Sequence, residues 1–312
     1  MNDKVLITGG AGFIGTWLAN SLLESGRYVA VIDIQEPNDP IKSLAQIYPD
    51  RFEYHKADLV YSVPEIPGVT EVYHIAGAIG TKQLINPAFD VLFVNIEMMR
   101  NLLNVYGNNI RKVVFTSTAE VYTGTYVPMP TDEKVTIGWR DPYNPRWAYA
   151  QSKFICELLL RNFVGRKHTP KWSIARLSNV YGPGMQQDYV CKALIRRIKD
   201  GEQPLVINSA LDTRPFTYVS DTVECLTRMM ASDKADGEII NVANPNEISI
   251  AQLTNELLLA MGKEPKLVDK IFTQDNEPER RQPNTNKAYV LLDWQAQVSF
   301  EDGIKATVEY YK

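Results

Sequence analysis

The segment KVLITGGAGFIG, Lys4 to Gly15, restricts the fold more than any other part of the chain. A short aliphatic run leads directly into glycines spaced Gly9-x-x-Gly12-x-x-Gly15, and an amphipathic stretch, FIGTWLANSLLESG, follows at once. A strand that breaks into a glycine turn and restarts as a helix is the opening of a βαβ unit. In such a turn Gly9 permits the tight reversal, Gly12 lets the backbone approach a pyrophosphate, and Gly15 lets helix pack on strand. Phosphates would rest on the positive end of that helix, at the amides around Phe13 and Ile14.

The same alternation continues. KVLIT (4–8), YVAVID (28–33), FEYHKADL (52–59), EVYHIAG (71–77), KVVFTST (112–118) and WSIARLS (172–178) have strand composition without in/out alternation, as parallel strands covered on both faces do. Helical segments lie between them, including PAFDVLFVNIEMMRNLLNVYGN and RWAYAQSKFICELLLRNFVG, each stopping near Gly or Asn. The expected fold is α/β: a Rossmann-type doubly wound parallel sheet with a smaller C-terminal substrate-binding lobe. Beyond residue 178 Pro, Gly and Asn become frequent. The pattern predicts a dinucleotide-binding domain over 1–178, a return to it over 210–243, and a substrate lobe from 179–209 and 244–312.

Of 312 residues 45% are hydrophobic and 22% charged, with a formal net charge of −4, as expected of a soluble globular chain. There is no basic stripe, so nucleic acid is not an expected partner. The apolar runs are short and broken by charges or Gly, so no membrane span is expected, and the N-terminus has the character of a strand, not of a signal peptide. Cys156, Cys191 and Cys225 are far apart and form no CxxC, which fits reduced thiols in a cytoplasmic protein. His55, His74 and His168 are scattered and suggest no metal site; His74, inside an apolar strand, suits a core position.

Several polar residues stand where chemistry would need them. Asp33 closes the second strand about 20 residues past the glycines, where an acid can bind ribose hydroxyls and would repel a 2′-phosphate, favouring NAD over NADP. Its bland alternative is loop capping. Asp58, in ADL, could bond an adenine edge or simply make a turn. Tyr149 and Lys153, in YAQSK, share one helix face, and of the 16 tyrosines only Tyr149 has Lys at this spacing. A tyrosine of pKa about 10 is a poor base at neutral pH. A neighbouring ammonium is expected to lower that pKa, so that Tyr149 can take a proton from a substrate hydroxyl while a nicotinamide takes hydride. Thr118, at the end of the strand TST, would hydrogen-bond the reacting oxygen, with Thr116 and Ser117 as competitors. Glu120, just beyond, is either a catalytic base or a capping residue.

The series TGGAGFIG, ADL, YHIAGA, Asn95, TSTAEVY, YAQSK, ARLSNVYGPG, RPFTYVSD, NVANP and RRQPNTNKAYVLLDW resembles the extended short-chain dehydrogenase/reductase family, also called the NAD-dependent epimerase/dehydratase family, along the whole chain. The resemblance implies a tightly held NAD, a nucleotide-diphosphate sugar such as a UDP-sugar as substrate, and oxidation at the sugar C4. It also implies a homodimer through the helices carrying Asn95 and Lys153. It implies cofactor contacts from Gly9, Gly12, Phe13, Ile14, Gly15, Asp33, Asp58 and Leu59, then from Ala76, Thr116, Tyr149 and Lys153. Arg214 looks like the family's diphosphate-binding arginine, with a surface ion pair as its alternative. Asn179 either contacts substrate or caps a turn.

Within the family the residues after the triad Ser or Thr vary with the reaction. The 4,6-dehydratases carry Asp-Glu there, simple 4-epimerases usually carry no acid, and UDP-glucuronate decarboxylases carry Ser-Glu. This chain has Ala119-Glu120, and Thr123 replaces the usual Gly after VY. The decarboxylase group also has a late arginine credited with protonating C5; its counterpart here is Arg281 in RRQP, with Arg280 as the alternative. The expectation is a UDP-glucuronate decarboxylase-like enzyme with Thr118, Glu120, Tyr149, Lys153 and Arg281 as its catalytic group. The alternatives are a nucleotide-sugar 4-epimerase, a C5-directed dehydratase or epimerase, and, from another class, a non-catalytic NAD-binding sensor.

Overall fold

The computed structural model describes residues 3–79, 86–123, 127–139, 141–186, 189–202, 205–207, 209–264, 267–269 and 279–312. Parts of the expected substrate lobe, such as 265–266 and 270–278, lie outside them.

The sheet is built from β1 (Lys4–Thr8), β2 (Tyr28–Asp33), β3 (Phe52–Lys56), β4 (Val69–His74), β5 (Lys112–Thr118) and β6 (Lys171–Leu177). After three short strands, β7 (Val180–Tyr181), β8 (Leu205–Ile207) and β9 (Thr213–Arg214), come β10 (Thr217–Tyr218) and β11 (Glu238–Val242). The sheet order is β11-β6-β5-β4-β1-β2-β3, all parallel. The chain therefore runs outward from β1 in one direction and restarts from β4 in the other, and the switch falls between β1 and β4. A doubly wound sheet binds ligands at the carboxyl ends of its strands there.

Successive strand residues enter opposite cores, as the two-residue period requires. Val5, Ile7, Val29, Val31, Val114 and Ala175 belong to one buried cluster. Leu6, Ala30, Ile32, Val113, Phe115 and Ile174 belong to the other. The first face is covered by α1 (Phe13–Glu24), α2 (Asp39–Ile47) and, later in the chain, α6 (Val219–Ala231). The second is covered by α3 (Pro87–Tyr106) and α4 (Ala148–Asn162). Between α4 and α6 stands α5 (Val190–Lys199), and the chain ends with α7 (Ile250–Ala260), α8 (Asn286–Leu292) and α9 (Phe300–Tyr311). The first cluster runs without a break into Leu253, Leu257, Trp294, Phe300 and Ile304, so the late helices share a core with the sheet.

Two strand ends and one helix differ from the sequence reading. β3 stops at Lys56 because Asp58 folds a turn, its Oδ1 accepting from the Val60 amide at 2.9 Å. β4 stops at His74 because the Ile75 and Ala76 amides donate back to the Thr8 carbonyl at 3.2 and 3.0 Å. The short α2 carried no sequence expectation; the Asn38 side chain caps it, accepting from the Ile41 amide at 3.0 Å.

Candidate active site

The glycine turn is shaped by close approach. Gly9 has φ +72°, and a Cβ there would lie 2.7 Å from the Ala76 amide nitrogen, so Ala76 fixes this position as glycine. A Cβ on Gly15 would lie 2.3 Å from the Gly9 carbonyl oxygen, which is how the first helical turn seats on the loop. Gly12 is the N-cap of α1 and supplies no side chain to satisfy the first amides, Phe13 and Ile14 among them. An N-terminus capped by glycine at a sheet's switch point fits a pyrophosphate. Asp33 is buried at the end of β2; its Oδ2 accepts from the Ala11 amide at 3.0 Å and its Oδ1 from the Gln35 amide at 3.0 Å. It braces the loop as well as presenting a carboxylate at its rim. Asp58 spends one oxygen on its own turn, and Leu59 beside it is buried. Across the switch point Thr8 Oγ1 and His74 Nδ1 share a 2.7 Å hydrogen bond, and burial, with Lys153 adding to it, pushes His74 down to about 3. His74 is thus a neutral, satisfied core residue.

The end of β5 delivers the hydroxyl run. Thr116 bonds the His74 carbonyl at 3.3 Å, and Ser117 donates to Glu157 at 2.6 Å. Thr118 caps the 3₁₀ turn Ala119–Tyr122, accepting from the Glu120 amide at 3.1 Å. That turn starts where the strand stops, and it carries the Glu120 side chain out of the core.

Tyr149 and Lys153 lie one turn apart on α4, as the spacing predicts. The titration expected of the pair does not follow. Burial raises the Tyr149 pKa above its ordinary value, Tyr189 and Glu120 add to the rise, and a hydrogen bond with Thr118 opposes it. Lys153 is not among the charges that move it. The reason is where the ammonium goes: Lys153 Nζ is buried and donates to the Thr116 carbonyl at 3.0 Å. Its own pKa falls to about 8 through burial. A Cβ on Gly77 would come within 3.0 Å of that nitrogen, so glycine there leaves it room. Asn95 holds the same loop, bonding the Ala78 amide and carbonyl at 2.8 and 3.0 Å and Ser152 of α4 at 2.8 Å.

Two residues far apart in the chain meet beside Thr118. Arg281 Nη1 donates to Glu120 Oε1 at 2.9 Å. Arg281 also donates through Nε to Glu279 Oε1 at 2.9 Å, and Glu279 Oε2 accepts from Arg214 Nη2 at 2.9 Å. Burial disfavours the charge on Arg281, yet Glu120 and Glu279 outweigh it and raise its pKa. Burial and the nearby Arg281 together lower that of Arg214. Arg280, the alternative to Arg281, is itself exposed and turns to the largely covered Glu247. Asn179 is exposed between β6 and β7 with φ +31°, a left-handed conformation uncommon outside glycine, and its carbonyl accepts from the Thr217 amide at 3.2 Å.

The sequence did not reveal what holds this assembly. Arg176 and Glu157 form a buried fork, Nε to Oε1 at 2.9 Å and Nη2 to Oε2 at 2.7 Å. Arg176 also donates to Tyr122 Oη at 2.9 Å, and Tyr122 donates to Asn241 at 2.7 Å. Asn241 in turn donates to the Thr131 and Asn284 carbonyls, each at 3.0 Å. Thr131 pairs with the segment after Arg281, its amide donating to the Gln282 carbonyl at 2.7 Å. Tyr122 lies on the turn that carries Glu120, so one polar network fixes both partners of the Glu120–Arg281 pair. Buried polar residues in otherwise apolar strands, such as Arg176, were the available signal.

The family described as GDP-mannose 4,6 dehydratase matches residues 6–307. The chain belongs to this family. Its curated relatives include the UDP-N-acetyl-alpha-D-glucosaminuronate decarboxylase of Bacillus cytotoxicus, 29% identical across 100% of this chain and 98% of the relative. UDP-glucuronic acid decarboxylase 6 of Arabidopsis thaliana is 31% identical across 100% of this chain and 89% of the relative. Among solved structures, a NAD-dependent NDP-hexosamine 5,6-dehydratase of tunicamycin biosynthesis superposes with a TM-score of 0.81 at 25% identity, covering 99% of this chain and 97% of the other. The relatives it matches in this family are nucleotide-sugar decarboxylases and dehydratases.

Proposed function

We propose that this protein is a NAD-dependent enzyme that oxidises C4 of a UDP-sugar and decarboxylates a C5 carboxylate, in the manner of a UDP-glucuronate decarboxylase. The observation that carries the reading is the Glu120–Arg281 ion pair beside Thr118. The glycine turn and Asp33 would hold NAD, with Lys153 on its nicotinamide ribose. When bound, NAD supplies a hydride acceptor for C4 and the positive charge of its oxidised ring. Thr118 orients the C4 hydroxyl, and Tyr149, whose raised pKa the positive ring would offset, takes its proton. A C4 ketone turns a C5 carboxylate into a β-keto acid, which loses CO2 and leaves its electron pair as an enolate. Arg281 stabilises that developing charge, and Glu120 fixes the guanidinium in place. Arginine holds its protons tightly, so the proton returned to C5 passes through water. Arg214 suits the diphosphate, since a guanidinium fork matches its oxygens, and the exposed Asn179 would meet the sugar.

A second reading is a C5-directed dehydratase or epimerase, supported by the partial exposure of the Glu120 side chain (44%), which leaves a carboxylate able to remove a C5 proton. Ala119 provides no second acid, which speaks against a 4,6-dehydratase. The assembly we propose is a homodimer across α3 and α4, where Phe89 and Phe93 stack while 60% and 44% exposed and Leu158 adds to the apolar face. The free, buried thiols of Cys156, Cys191 and Cys225 suit a cytoplasmic location. No helix among the described residues is long and apolar enough to cross a membrane.

The test is purified protein with NAD and UDP-glucuronic acid, following CO2 and NADH. CO2 release that falls by about 10²–10⁴ in Tyr149→Phe is expected. Turnover of another UDP-hexose, with C4 inverted or water lost and no CO2, replaces decarboxylation by the second class of reaction. Biological activity unchanged in Tyr149→Phe points to a NAD-binding sensor.

A further inference from the structure

Among the described residues, Glu279 is the acid that touches both Arg214 and Arg281. Its Oε2 accepts from Arg214 and its Oε1 from Arg281, each at 2.9 Å. Neither arginine depends on it. Arg214 also donates to the Thr213 carbonyl at 2.8 Å and the Glu279 carbonyl at 2.9 Å, and meets Asp212 at 3.3 Å. Arg281 keeps Glu120. The backbone of Glu279 is anchored apart from its side chain: its amide donates to Asp212 Oδ1 at 2.9 Å, and its carbonyl accepts from the Thr213 amide at 3.0 Å. The side chain itself is 37% exposed. It can therefore swing into solvent without loosening the loop. Burial opposes its charge, but Arg281 and Arg214 outweigh burial and lower its pKa, so it is a carboxylate at neutral pH.

We infer that Glu279 is a built-in occupant of the anion site between Arg214 and Arg281, and that an anionic group of the substrate displaces it. This deepens the reading of the site given above and rests on it. The displaced contacts are charge-assisted hydrogen bonds, each of which the incoming phosphate or carboxylate must replace. Glu279 thereby weakens every anionic ligand and sets how strongly the site prefers a sugar bearing a carboxylate. A neutral sugar meets Arg214 through its diphosphate alone. A uronate also meets Arg281, so it gains more when the competitor is removed. A residue that merely held the arginines in place would act with the opposite sign, since its removal would weaken binding.

The experiment is calorimetric titration of the NAD-loaded protein with UDP, UDP-glucose and UDP-glucuronic acid, for the wild type, Glu279→Gln and Glu279→Ala. The expected result is tightening of UDP-glucuronic acid by about tenfold in Glu279→Gln, equivalent to ~1.4 kcal/mol, with a smaller gain for UDP and UDP-glucose. Glu279→Ala is expected to move the same way, and it carries the test if the glutamine variant does not fold. Equal or weaker binding of all three ligands in the variants, with the wild type binding them, overturns the inference and leaves the reading of the site intact. A wild-type protein that binds none of the three overturns that reading and the inference with it.

Discussion

Around Gly9–Gly15 the protein makes a binding surface from backbone, in one unbroken stretch of chain. Around Glu120 it makes one from ion-paired side chains drawn from residues 120, 146, 212–214 and 279–281. The first depends on the absence of atoms: a Cβ at Gly9 or Gly15 would overlap neighbouring backbone. The second depends on charges that balance one another, with Glu120, Glu279 and Asp212 set against Arg281, Arg214 and Arg146. A backbone cradle suits a ligand common to many enzymes, because it reads only phosphate and shape. An ion-paired wall suits the part that differs between substrates, because one residue exchanged there alters the field at the sugar. The difference teaches why the cofactor side should be brittle toward any added atom and the substrate side tunable by charge.

The largest effect is expected on the backbone side. Gly15→Ala forces a methyl group against the Gly9 carbonyl. Overpacking of this kind costs on the order of 3 kcal/mol, which lowers the melting temperature by roughly 5 °C, and NAD affinity should fall with it. Thermal melting and cofactor titration measure both; a variant that melts and binds as the wild type does would remove the claim that close contact shapes the loop.

On the other side the contrast is between neighbours. Arg281→Ala should lower kcat/KM by about 100-fold, the scale of a lost charge-stabilising donor, whereas Arg280→Ala, whose side chain is exposed and pairs with Glu247, should stay within roughly twofold. Similar losses in both variants, measured by steady-state kinetics, would show that the wall is a diffuse field and not a set of placed groups.

At neutral pH the smallest effect lies at the switch point. His74 is buried and its pKa is lowered to about 3, against 6.5 unfolded. The unfolded chain takes up this proton first, so His74 contributes nothing to pH dependence above about pH 6.5 and removes stability as pH falls from there toward 3, by up to ~1.4 kcal/mol per pH unit. His74→Asn, which keeps a polar partner for Thr8, should flatten that part of the stability curve between pH 4 and 6.5. Melting curves of the two proteins that stay parallel across this range would contradict it.

The legibility of the molecule follows the same division. β1, α1, the glycines and Asp33 could be placed from sequence because each rests on spacing between near neighbours. The Glu120–Arg281 meeting was anticipated only through resemblance to a family; no local pattern links two residues at such a separation. Glu279 and the Arg176–Glu157–Tyr122–Asn241 network were missed for the same reason, and α2 because its run is short and its cap is a single asparagine. Tyr149 shows the limit most plainly. Its spacing to Lys153 was read correctly, but the direction of its titration was not, because the ammonium turns to the Thr116 carbonyl and the phenol lies in a buried setting with Tyr189 and Glu120.

By itself, then, the chain determined its parallel sheet, its glycine cradle and the helix that carries Tyr149 and Lys153, since strand and helix periods and turn chemistry act between residues close in sequence. Which charges face one another at the substrate wall, and which way each buried group titrates, depend on the assembled fold. Burial and electric field sum over atoms that the fold brings together from distant parts of the chain, and no short stretch of sequence contains that sum.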